Sequence, residues 1–424
     1  MATDWLLALG LALGSVLWVE IGRDLYHLTA HHWPLLYRMH AIHHRAFRPD
    51  LTAVSERLYR RAQWIDDVPE SAVMLGLGLA LWAGLYWGTP GPHWAAAAGV
   101  LYAATFLMGA IARGSGLAGA SELTDLTHQP GPFRQRPARW LVNRPYHWRH
   151  HFDTPNAYYC STFALVDKLL GTALSLRGKR IAVTGASGTL GRALLAQLYR
   201  QGAKPIALTA SASQVTVTLA GESVPVETLN WQVGCESELA DQLAQTDILV
   251  LNHGINVHGD RSPEAIQQSY EVNTFSSWRL LELFLSTVRT NRDVARKEVW
   301  VNTSEAEVSP AFSPLYEFSK RALGQLVTLR RLDAPCVVRK IALGPFRSNL
   351  NPIGVMSADW VARQIVRLAR RDIRNIVVSI VPLTYLTLPL KEFWVSSYLR
   401  AFSHGGERRQ VAPTGTNAGA PSQP

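Results

Sequence analysis

Histidine is distributed unevenly along this 424-residue chain: ten of the fourteen histidines fall in the regions 27–44 and 128–151. The first region, HLTAHHWPLLYRMHAIHH, contains six of them, and the second ends in HWRHH. Imidazoles three or four residues apart project from one face of a helix. Because several protonated imidazoles on one face would repel one another, we interpret them as neutral ligands of a metal.

The order of the histidine motifs strengthens this interpretation. An HxxxH pair at His27 and His31 is followed by HxxHH from His40 and, beyond two apolar stretches, by HxxHH from His147. One HxxHH motif is weak support for a metal site, whereas three histidine motifs in this order indicate that the chain binds a metal. A structural zinc site is the alternative interpretation. Candidate acceptors for the imidazole N–H groups are the carboxylates of Glu20, Asp24, Asp125 and Asp153.

A second candidate site begins at IAVTGASGTLG, which places Gly185, Gly188 and Gly191 at a predicted strand-to-helix turn. Glycines let a backbone approach a pyrophosphate closely, and a helix N-terminus favours its negative charge. Farther along, Tyr316 and Lys320 are four residues apart and share a helix face. An ammonium lowers the pKa of a nearby phenol, so Tyr316 is predicted to exchange a proton with a carbonyl oxygen while hydride moves.

The composition predicts a membrane protein. Charged residues make up only 17 % of the chain, against roughly 25 % in soluble proteins. Apolar stretches begin at Trp5, Ser71 and Trp94, and each approaches the ~20 residues that span a bilayer. The last two, separated by TPGPH, are interpreted as a hairpin; a buried pair of soluble helices is the alternative. The net charge of +10 comes without a run of like charges, so we expect no nucleic-acid partner.

Charge and cysteine patterns predict the side of the membrane. Arginines flank the second and third histidine motifs, so the positive-inside rule places these motifs and the C-terminal domain in the cytoplasm. The three cysteines, Cys160, Cys235 and Cys336, form no CxxC arrangement. Such isolated cysteines fit a reducing compartment.

The chain divides into three predicted regions. Residues 1–176 form a helical membrane domain, residues 177–404 an α/β domain with a Rossmann-like, doubly wound parallel sheet, and residues 405–424 a disordered tail. The strands RIAVTG, DILVLNHG and KEVWVNTS alternate with helical segments. The apolar stretch from Asn375 to Leu399 is interpreted as a final strand followed by an interfacial helix, or equally as a segment packed in the core.

Residues 5–175 resemble the fatty acid hydroxylase/sterol desaturase family. DLYHLTAHHWPLLYRMHAIHH is similar to its first two histidine boxes, and HWRHHFDTPNAYYCSTFALVDKLLGT to its third box and closing segment. The resemblance implies two iron ions that use O2 on a lipid C–H bond, with electrons from an unidentified donor. The ligands it implies are His27, His31, His40, His43, His44, His128, His147, His150 and His151. His32 is less certain because it points to a different helix face.

Residues from Lys179 to about Val381 resemble the short-chain dehydrogenase/reductase family through TGASGTLG, YEVNTFSSW and VNTSEAEVSPAFSPLYEFSK. The catalytic residues that the resemblance implies are Asn273, Ser304, Tyr316 and Lys320. The cofactor-binding residues that it implies are Gly185, Ser187, Gly188, Leu190, Gly191, Asn252 and Lys320. Thr303 is an alternative to Ser304, which lies one residue closer to the tyrosine than is common. No Asp or Glu follows the second strand in IALTAS, which favours NADP over NAD.

Together the two halves resemble the fused sterol desaturase/short-chain dehydrogenase proteins of cyanobacteria. We therefore predict an oxidoreductase: a membrane-bound di-iron hydroxylase or desaturase that acts on a membrane lipid. Its fused NAD(P)-dependent dehydrogenase would process the alcohol or carbonyl product. The alternative is a membrane-anchored NADP-dependent carbonyl reductase whose N-terminal domain is inactive or holds a structural metal.

Overall fold

The computed structural model describes residues 2–88 and 90–404. Its first part is helical, and its second part is built on a parallel sheet. The helices of the first part are α1 (Ala2–His32), α2 (Pro34–Arg45), α3 (Glu56–Ala62), α4 (Val68–Gly88), α5 (Ala97–Ser115), α6 (Ala120–Thr124), α7 (Arg144–Phe152) and α8 (Leu165–Leu170). A π-helical turn, Gln63–Asp67, joins α3 to α4. The predicted disordered tail lies outside the described residues.

Within the described ranges, three helical stretches are long and apolar enough to cross a membrane: Thr3–His32, Glu56–Gly88 and His93–Ser115. Their large side chains face outward, as at Leu13 and Leu101. Small residues bring the helices together, because a Cβ on Gly99 would lie 2.7 Å from the carbonyl oxygen of Ser15. The outward apolar surface supports membrane association and argues against a buried soluble pair. The cytoplasmic placement stays a prediction.

The second part is a seven-stranded sheet in the order β5-β2-β1-β6-β7-β8-β9, and all its pairings are parallel. This confirms the predicted Rossmann-like fold. The strands of the sheet are β1 (Arg180–Thr184), β2 (Lys204–Thr209), β5 (Glu227–Asn230), β6 (Ile248–Leu251), β7 (Glu298–Ser304), β8 (Val337–Leu343) and β9 (Asn375–Val378). A separate hairpin pairs β3 (Thr216–Leu219) with β4 (Glu222–Pro225).

Helices cover both faces of this sheet, as the alternating pattern predicts. The helices of the second part are α9 (Thr189–Arg200), α10 (Ala240–Ala244), α11 (Pro263–Tyr270), α12 (Ser277–Ser286), α13 (Asn291–Arg296), α14 (Pro314–Arg330), α15 (Ala358–Arg370) and α16 (Thr384–Phe402). α9 and α15 share one core with the sheet, and α12 and α14 share the other. The strand order reverses between β1 and β6, so their carboxyl ends form the crevice where such sheets bind ligands.

The helical part packs against the opposite, amino edge of the sheet. Lys179, just before β1, pairs with Asp153 at 2.7 Å. Lys168 of α8 pairs with Asp372, just before β9, at 3.6 Å. Further along the same edge, the guanidinium of Arg136 donates to the carbonyl oxygen of Ala334. The two parts therefore meet at the sheet edge that faces away from the crevice.

Candidate metal centre and candidate dinucleotide site

All nine predicted histidine ligands converge, and they do so in two groups. In each group the candidate ligand atoms lie within 4.8 Å of one another. The first group is His27, His31, His40, His44 and His150; the second is His43, His128, His147 and His151. His32 lies outside both groups, with its Nε2 atom 3.5 Å from the hydroxyl of Tyr159.

Two helices each supply both groups. In α2, His40 and His44 are one turn apart and face the first group, while His43 faces the second. In α7 the assignment is exchanged: His147 and His151 face the second group, and His150 faces the first. An HxxHH motif therefore presents its first and last imidazoles to one site and its middle imidazole to the other. α2 can turn back from α1 because Pro34 stands at its first position.

The nitrogen spacing matches coordination of a common cation. The Nε2 atoms of His27 and His40 are 3.0 Å apart, as are those of His27 and His150. In the second group, the Nε2 atom of His128 is 3.0 Å from that of His147. Two imidazole nitrogens bound at right angles to one metal at about 2.1 Å would stand roughly 3.0 Å apart.

The hydrogen bonds of the Nδ1 atoms, which point away from the centre of each group, explain why the Nε2 atoms need a cation. The Nδ1 atom of His27 lies 2.8 Å from the carbonyl oxygen of Tyr159, and that of His150 lies 2.9 Å from the carbonyl oxygen of Ala157. A carbonyl only accepts, so each Nδ1 carries the proton and each Nε2 directs a lone pair inward. Burial lowers the pKa of His150 to about 4, which keeps the ring neutral. Converging lone pairs repel one another, and a bound cation removes that repulsion.

Three carboxylates lie against the Nδ1 atoms of three further rings, and the sequence identified only one of these carboxylates. Asp125 contacts Nδ1 of His128 at 2.6 Å, as predicted. Asp66 contacts Nδ1 of His40 at 2.9 Å, and Asp67 lies 3.3 Å from Nδ1 of His43. Such outer carboxylates fix the tautomer and strengthen the ligand. The overlooked signal is the acidic pair in QWIDDV at the start of an apolar span, where the π-helical turn places both side chains.

The other three candidate carboxylates do not contact the histidine groups. Glu20 accepts from the hydroxyl of Tyr102, and Asp24 accepts from the backbone N–H of Ser161. Asp153 is engaged by Lys179 at the junction of the two parts. The prediction that these three carboxylates accept from imidazole N–H groups was wrong. Closeness in sequence to the histidines does not determine the direction in which each carboxylate points.

The glycine turn has the tightness that a pyrophosphate requires. Gly185 has φ 61°, and a Cβ there would lie 2.9 Å from the backbone of His253. A Cβ on Gly191 would lie 2.3 Å from the carbonyl oxygen of Gly185. Neither position therefore accepts a side chain, and the closely folded turn leads directly into α9, where Gly188 is the N-cap. These residues fit a dinucleotide phosphate.

The remaining predicted cofactor residues surround this turn. Ser187 accepts a 2.9 Å hydrogen bond from Thr209 at the end of β2. The amide of Asn252 donates to the carbonyl oxygen of Thr184. Leu190 differs, since its side chain is buried in the core and does not line the turn. A cofactor contact from Leu190 would have to come from its main chain, and this stays a prediction.

A cavity of 870 Å³ opens beside the same turn. Ser187 and Thr189 line it, and its other walls include Arg192, Arg200 and Arg363. The guanidinium of Arg192 donates to the carbonyl oxygen of Ser187. Arg192 therefore places a positive charge beside Ser187, and arginines outnumber the carboxylate Asp359 in the cavity wall, a feature that the glycine spacing did not reveal.

The predicted catalytic side chains meet at the carboxyl edge of the sheet. Ser304 is the last residue of β7; its hydroxyl accepts a hydrogen bond from the backbone N–H of Ala306 and lies within reach of the phenol of Tyr316 on α14, whose pKa it lowers. The Nζ of Lys320 lies 5.9 Å from the centre of the Tyr316 ring and donates to the carbonyl oxygen of Asn302. The alternative residue Thr303 donates instead to the carbonyl oxygen of Ile341, so the geometry favours Ser304.

Asn273 lies in a second π-helical turn, Glu271–Ser276, between α11 and α12. Its side chain accepts from the backbone N–H of Ile255 at 2.8 Å and donates to the carbonyl oxygen of Ile255 at 3.0 Å. The same amide donates to the hydroxyl of Ser319, between Tyr316 and Lys320 along the chain. Both candidate sites thus use a π-helical turn to aim a polar side chain.

Burial controls the ionisation of the Tyr316 and Lys320 pair. It raises the pKa of Tyr316, with the Ser304 hydrogen bond acting in the opposite direction. It also lowers the pKa of Lys320 to about 8, against the attraction of Glu307. The net shift of the Tyr316 pKa is therefore opposite in direction to the expected lowering, because desolvation of the phenol outweighs the effect of Ser304.

Comparison with known proteins identifies the family. Residues 179–351 match the short chain dehydrogenase family. Over 409 residues, 95 % of this chain and 99 % of the relative, the chain is 60 % identical to a protein of Synechocystis sp. (strain ATCC 27184 / PCC 6803 / Kazusa) named monoglucosyldiacylglycerol epimerase. The chain belongs to the monoglucosyldiacylglycerol epimerase family. The prediction of an enzyme with a short-chain dehydrogenase domain is thereby confirmed. The likeness of the first part to fatty acid hydroxylases and sterol desaturases stays a prediction.

Solved structures similar to about half of this epimerase-family chain include the following three proteins. Thermoplasma acidophilum aldohexose dehydrogenase is 17 % identical, with a TM-score of 0.38, and the match covers 48 % of this chain and 93 % of that one. BdcA in complex with NADPH is 15 % identical, with a TM-score of 0.39, covering 49 % and 94 %. The alcohol dehydrogenase of Thermococcus sibiricus, complexed with 5-hydroxy-NADP, is 18 % identical, with a TM-score of 0.40, covering 48 % and 96 %.

Proposed function

We propose that this chain inverts one hydroxyl-bearing carbon in the sugar headgroup of a membrane glucolipid, and that the dehydrogenase domain performs the reaction. The supporting observation is that Ser304 at the end of β7 and Tyr316 on α14 lie together, with the Nζ of Lys320 5.9 Å from the centre of the Tyr316 ring. It occurs in a chain that is 60 % identical, through both parts, to an enzyme named for epimerising monoglucosyldiacylglycerol. A dehydrogenase site can invert a carbinol carbon by oxidising it and then reducing it from the other side.

The proposed reaction is redox-neutral. One C–H and one O–H bond of the sugar break to give a carbonyl, and both bonds re-form with the hydrogen on the opposite face of the carbon. NAD(P), when bound, would serve as both the acceptor and the donor of the hydride. Tyr316 takes the hydroxyl proton during oxidation and returns it to the carbonyl oxygen during reduction. Ser304 donates a hydrogen bond to the same oxygen.

The remaining residues of the site position these groups. Lys320 holds the nicotinamide ribose, and Asn273 holds a water that relays the proton. The turn through Gly185, Gly188 and Gly191, with Ser187, the main chain of Leu190 and Asn252, holds the dinucleotide. We propose NADP over NAD because β2 ends in Thr209 with no carboxylate after it and Arg192 lies beside Ser187. A carboxylate at that point would hold the ribose hydroxyl of NAD.

We further propose that the two histidine groups hold a pair of metal ions, one in each group. The support is the 3.0 Å spacing of the Nε2 atoms and the outward hydrogen bonds of their Nδ1 atoms. Imidazole suits iron among other transition metals, and the resemblance of the boxes favours iron. Bound iron supplies the activation of O2 for attack on a C–H bond. Asp66, Asp67 and Asp125 orient the rings that hold it.

The paired histidine groups favour a second candidate function. In it, the first part uses O2, two protons and two electrons from an external donor on a membrane lipid: hydroxylation would form an alcohol and one molecule of water, and desaturation a double bond and two molecules of water. The dehydrogenase domain then oxidises the resulting alcohol. Both candidates require the Tyr316 site, but only the second consumes O2.

The test uses the purified full chain in bilayers that contain monoglucosyldiacylglycerol, catalytic NADP and no O2. The lipid is deuterated at one ring carbon at a time, and the headgroup configuration is followed by NMR. Redox epimerisation predicts an inverted headgroup and slower conversion when the reacting carbon carries deuterium. Inversion without an isotope effect at any ring carbon would overturn the redox route. Formation of an oxygenated lipid only when O2 is present would favour the second candidate.

A further inference from the structure

The last helix, α16, buries a charged residue on its inner side and exposes an apolar outer side. Glu392 on its inner side accepts hydrogen bonds from Lys340 at 2.7 Å and from Thr328 at 3.0 Å. Its outer side carries Phe393 and Trp394, which are 71 % and 73 % exposed. The buried ion pair fixes the rotation of the helix, so these aromatic side chains cannot turn inward.

The outer side is one continuous apolar stripe. From Leu386 to Phe402 the exposed residues recur every three to four positions, with Tyr385 beside Leu386 and Trp394 beside Phe393, which places them along one helix face. The stripe comprises Tyr385, Leu386, Leu390, Phe393, Trp394, Tyr398 and Phe402. A contiguous exposed patch of this kind marks a surface that binds something apolar. It also excludes the alternative expectation that this segment packs wholly in the core.

The apolar surface continues around the mouth of the dehydrogenase site. Phe312, in the loop after β7, is 97 % exposed, and Ile353, in the loop after β8, is 90 % exposed. Leu383, just before α16, is also exposed. These loops leave the carboxyl edge of the sheet, where Tyr316 lies. Apolar side chains therefore surround the edge through which a substrate enters.

We propose that α16 and these loops rest on the lipid bilayer, with α16 lying in the plane of the membrane interface. The three candidate spans are long and apolar enough to hold a bilayer beside the domain. Trp394 and Tyr398 with Arg400 are the side-chain types that occupy membrane interfaces. Among the described residues α16 is not a candidate span, and Pro389 and Glu392 within it oppose crossing.

The direction in which α16 runs also supports the lipid bilayer as the partner of this surface. The helix begins at the carboxyl edge of the sheet and packs along α14, with Glu392 opposite the middle of β8. Its 19 residues extend about 28 Å at 1.5 Å per residue. α16 therefore runs back toward the amino edge, where the helical part is attached. If the α16 side of the domain lies on the membrane, both edges of the sheet are next to the same bilayer. A lipid can then reach Tyr316 while its acyl chains remain in that bilayer.

A spin-label experiment on the full chain tests this surface without requiring turnover. In a Cys235→Ser background, the remaining Cys160 and Cys336 are buried, so a label can be placed by Trp394→Cys. Arg367→Cys on the exposed side of α15 is the matched control. Both variants are reconstituted in nanodiscs of phosphatidylcholine and phosphatidylglycerol. Collision rates of the label with O2 and with a water-soluble nickel chelate are then compared.

The proposal predicts that the label at 394 collides with O2 several-fold more often than with nickel, and that the label at 367 shows the reverse. Equal access of nickel to both labels would overturn it. Protection from both reagents, with dipolar broadening between labels, would also overturn it and show a second copy on this surface. Since none of these readouts involves the sugar reaction, failure here leaves the proposed function standing.

Discussion

Arg149 donates a 3.0 Å hydrogen bond to Glu298, and this buried ion pair joins the helix of the third histidine motif to the first residue of β7. The last residue of the same strand is Ser304. Seven residues of extended chain cover roughly 20 Å at ~3.3 Å per residue. The histidine groups and the dehydrogenase site therefore lie at opposite edges of one sheet. A lipid that used both sites would have to leave the first before it reached the second.

Removing Arg149 should loosen the junction between the two parts. Arg149→Met leaves Glu298 buried with Arg339 as its remaining charged partner. Breaking a buried pair by removing one partner costs about 3 kcal/mol or more. We expect the melting temperature of the purified protein to fall by roughly 5–10 °C. Arg367→Met, which removes an exposed arginine, is the control. An unchanged melting temperature for Arg149→Met would mean that the pair does not hold the junction.

Metal content should depend on the histidines in the two groups and not on His32, which is adjacent to His31 in the sequence. Purified protein is expected to contain two metal ions, measured by elemental analysis. His43→Ala opens the second group and should lose about one ion, whereas His32→Ala should lose none because His32 lies outside both groups. Equal metal content in the two variants would refute the assignment of ligands.

Cofactor affinity should weaken as the pH rises through the pKa of Lys320. Burial lowers this pKa to about 8, so the ammonium is charged below that pH and neutral above it. A hydrogen bond from a charged donor is stronger by about 1 kcal/mol than one from a neutral donor. The Kd for NADP, measured by calorimetry, is expected to rise roughly fivefold between about pH 7 and about pH 9. Lys320→Met should show no such change, and an identical rise in that variant would assign the effect to another group.

The three cysteines should differ sharply in reactivity. Burial raises the pKa of Cys336 to about 12 and raises that of Cys160 as well, whereas Cys235 is exposed. Because only the thiolate is alkylated, native protein should take up one iodoacetamide per chain and denatured protein three. Peptide mass spectrometry should place the native label on Cys235. Rapid labelling of Cys336 in native protein would contradict the burial of the second part's core.

Local spacing explains which features the sequence could predict. The HxxHH motifs and the turn through Gly185 and Gly191 are short-range patterns whose geometry follows from one helix or one turn. The carboxylates of Asp66 and Asp67 were missed because their contacts with His40 and His43 depend on a π-helical turn and on packing between helices. The opposite placement of the two sites could not be predicted either, since it depends on Arg149 reaching Glu298 across the junction. For α16, the apolar run was visible, but its outward orientation depends on the buried pairing of Glu392 with Lys340.

We propose Tyr316 as the residue that carries out the proton transfers of a glucolipid epimerisation. The most direct measurement compares the headgroup configuration of monoglucosyldiacylglycerol after incubation with the full-length protein, with Tyr316→Phe and with the exposed control Tyr199→Phe, under anaerobic conditions with NADP. We predict that the parent and Tyr199→Phe form the inverted headgroup, and that Tyr316→Phe forms it ~10²–10⁴-fold more slowly, because only the proton-transferring hydroxyl is lost. Inversion at the parent rate by Tyr316→Phe would rule out this role of Tyr316, and no inversion by the parent protein would rule out the epimerisation.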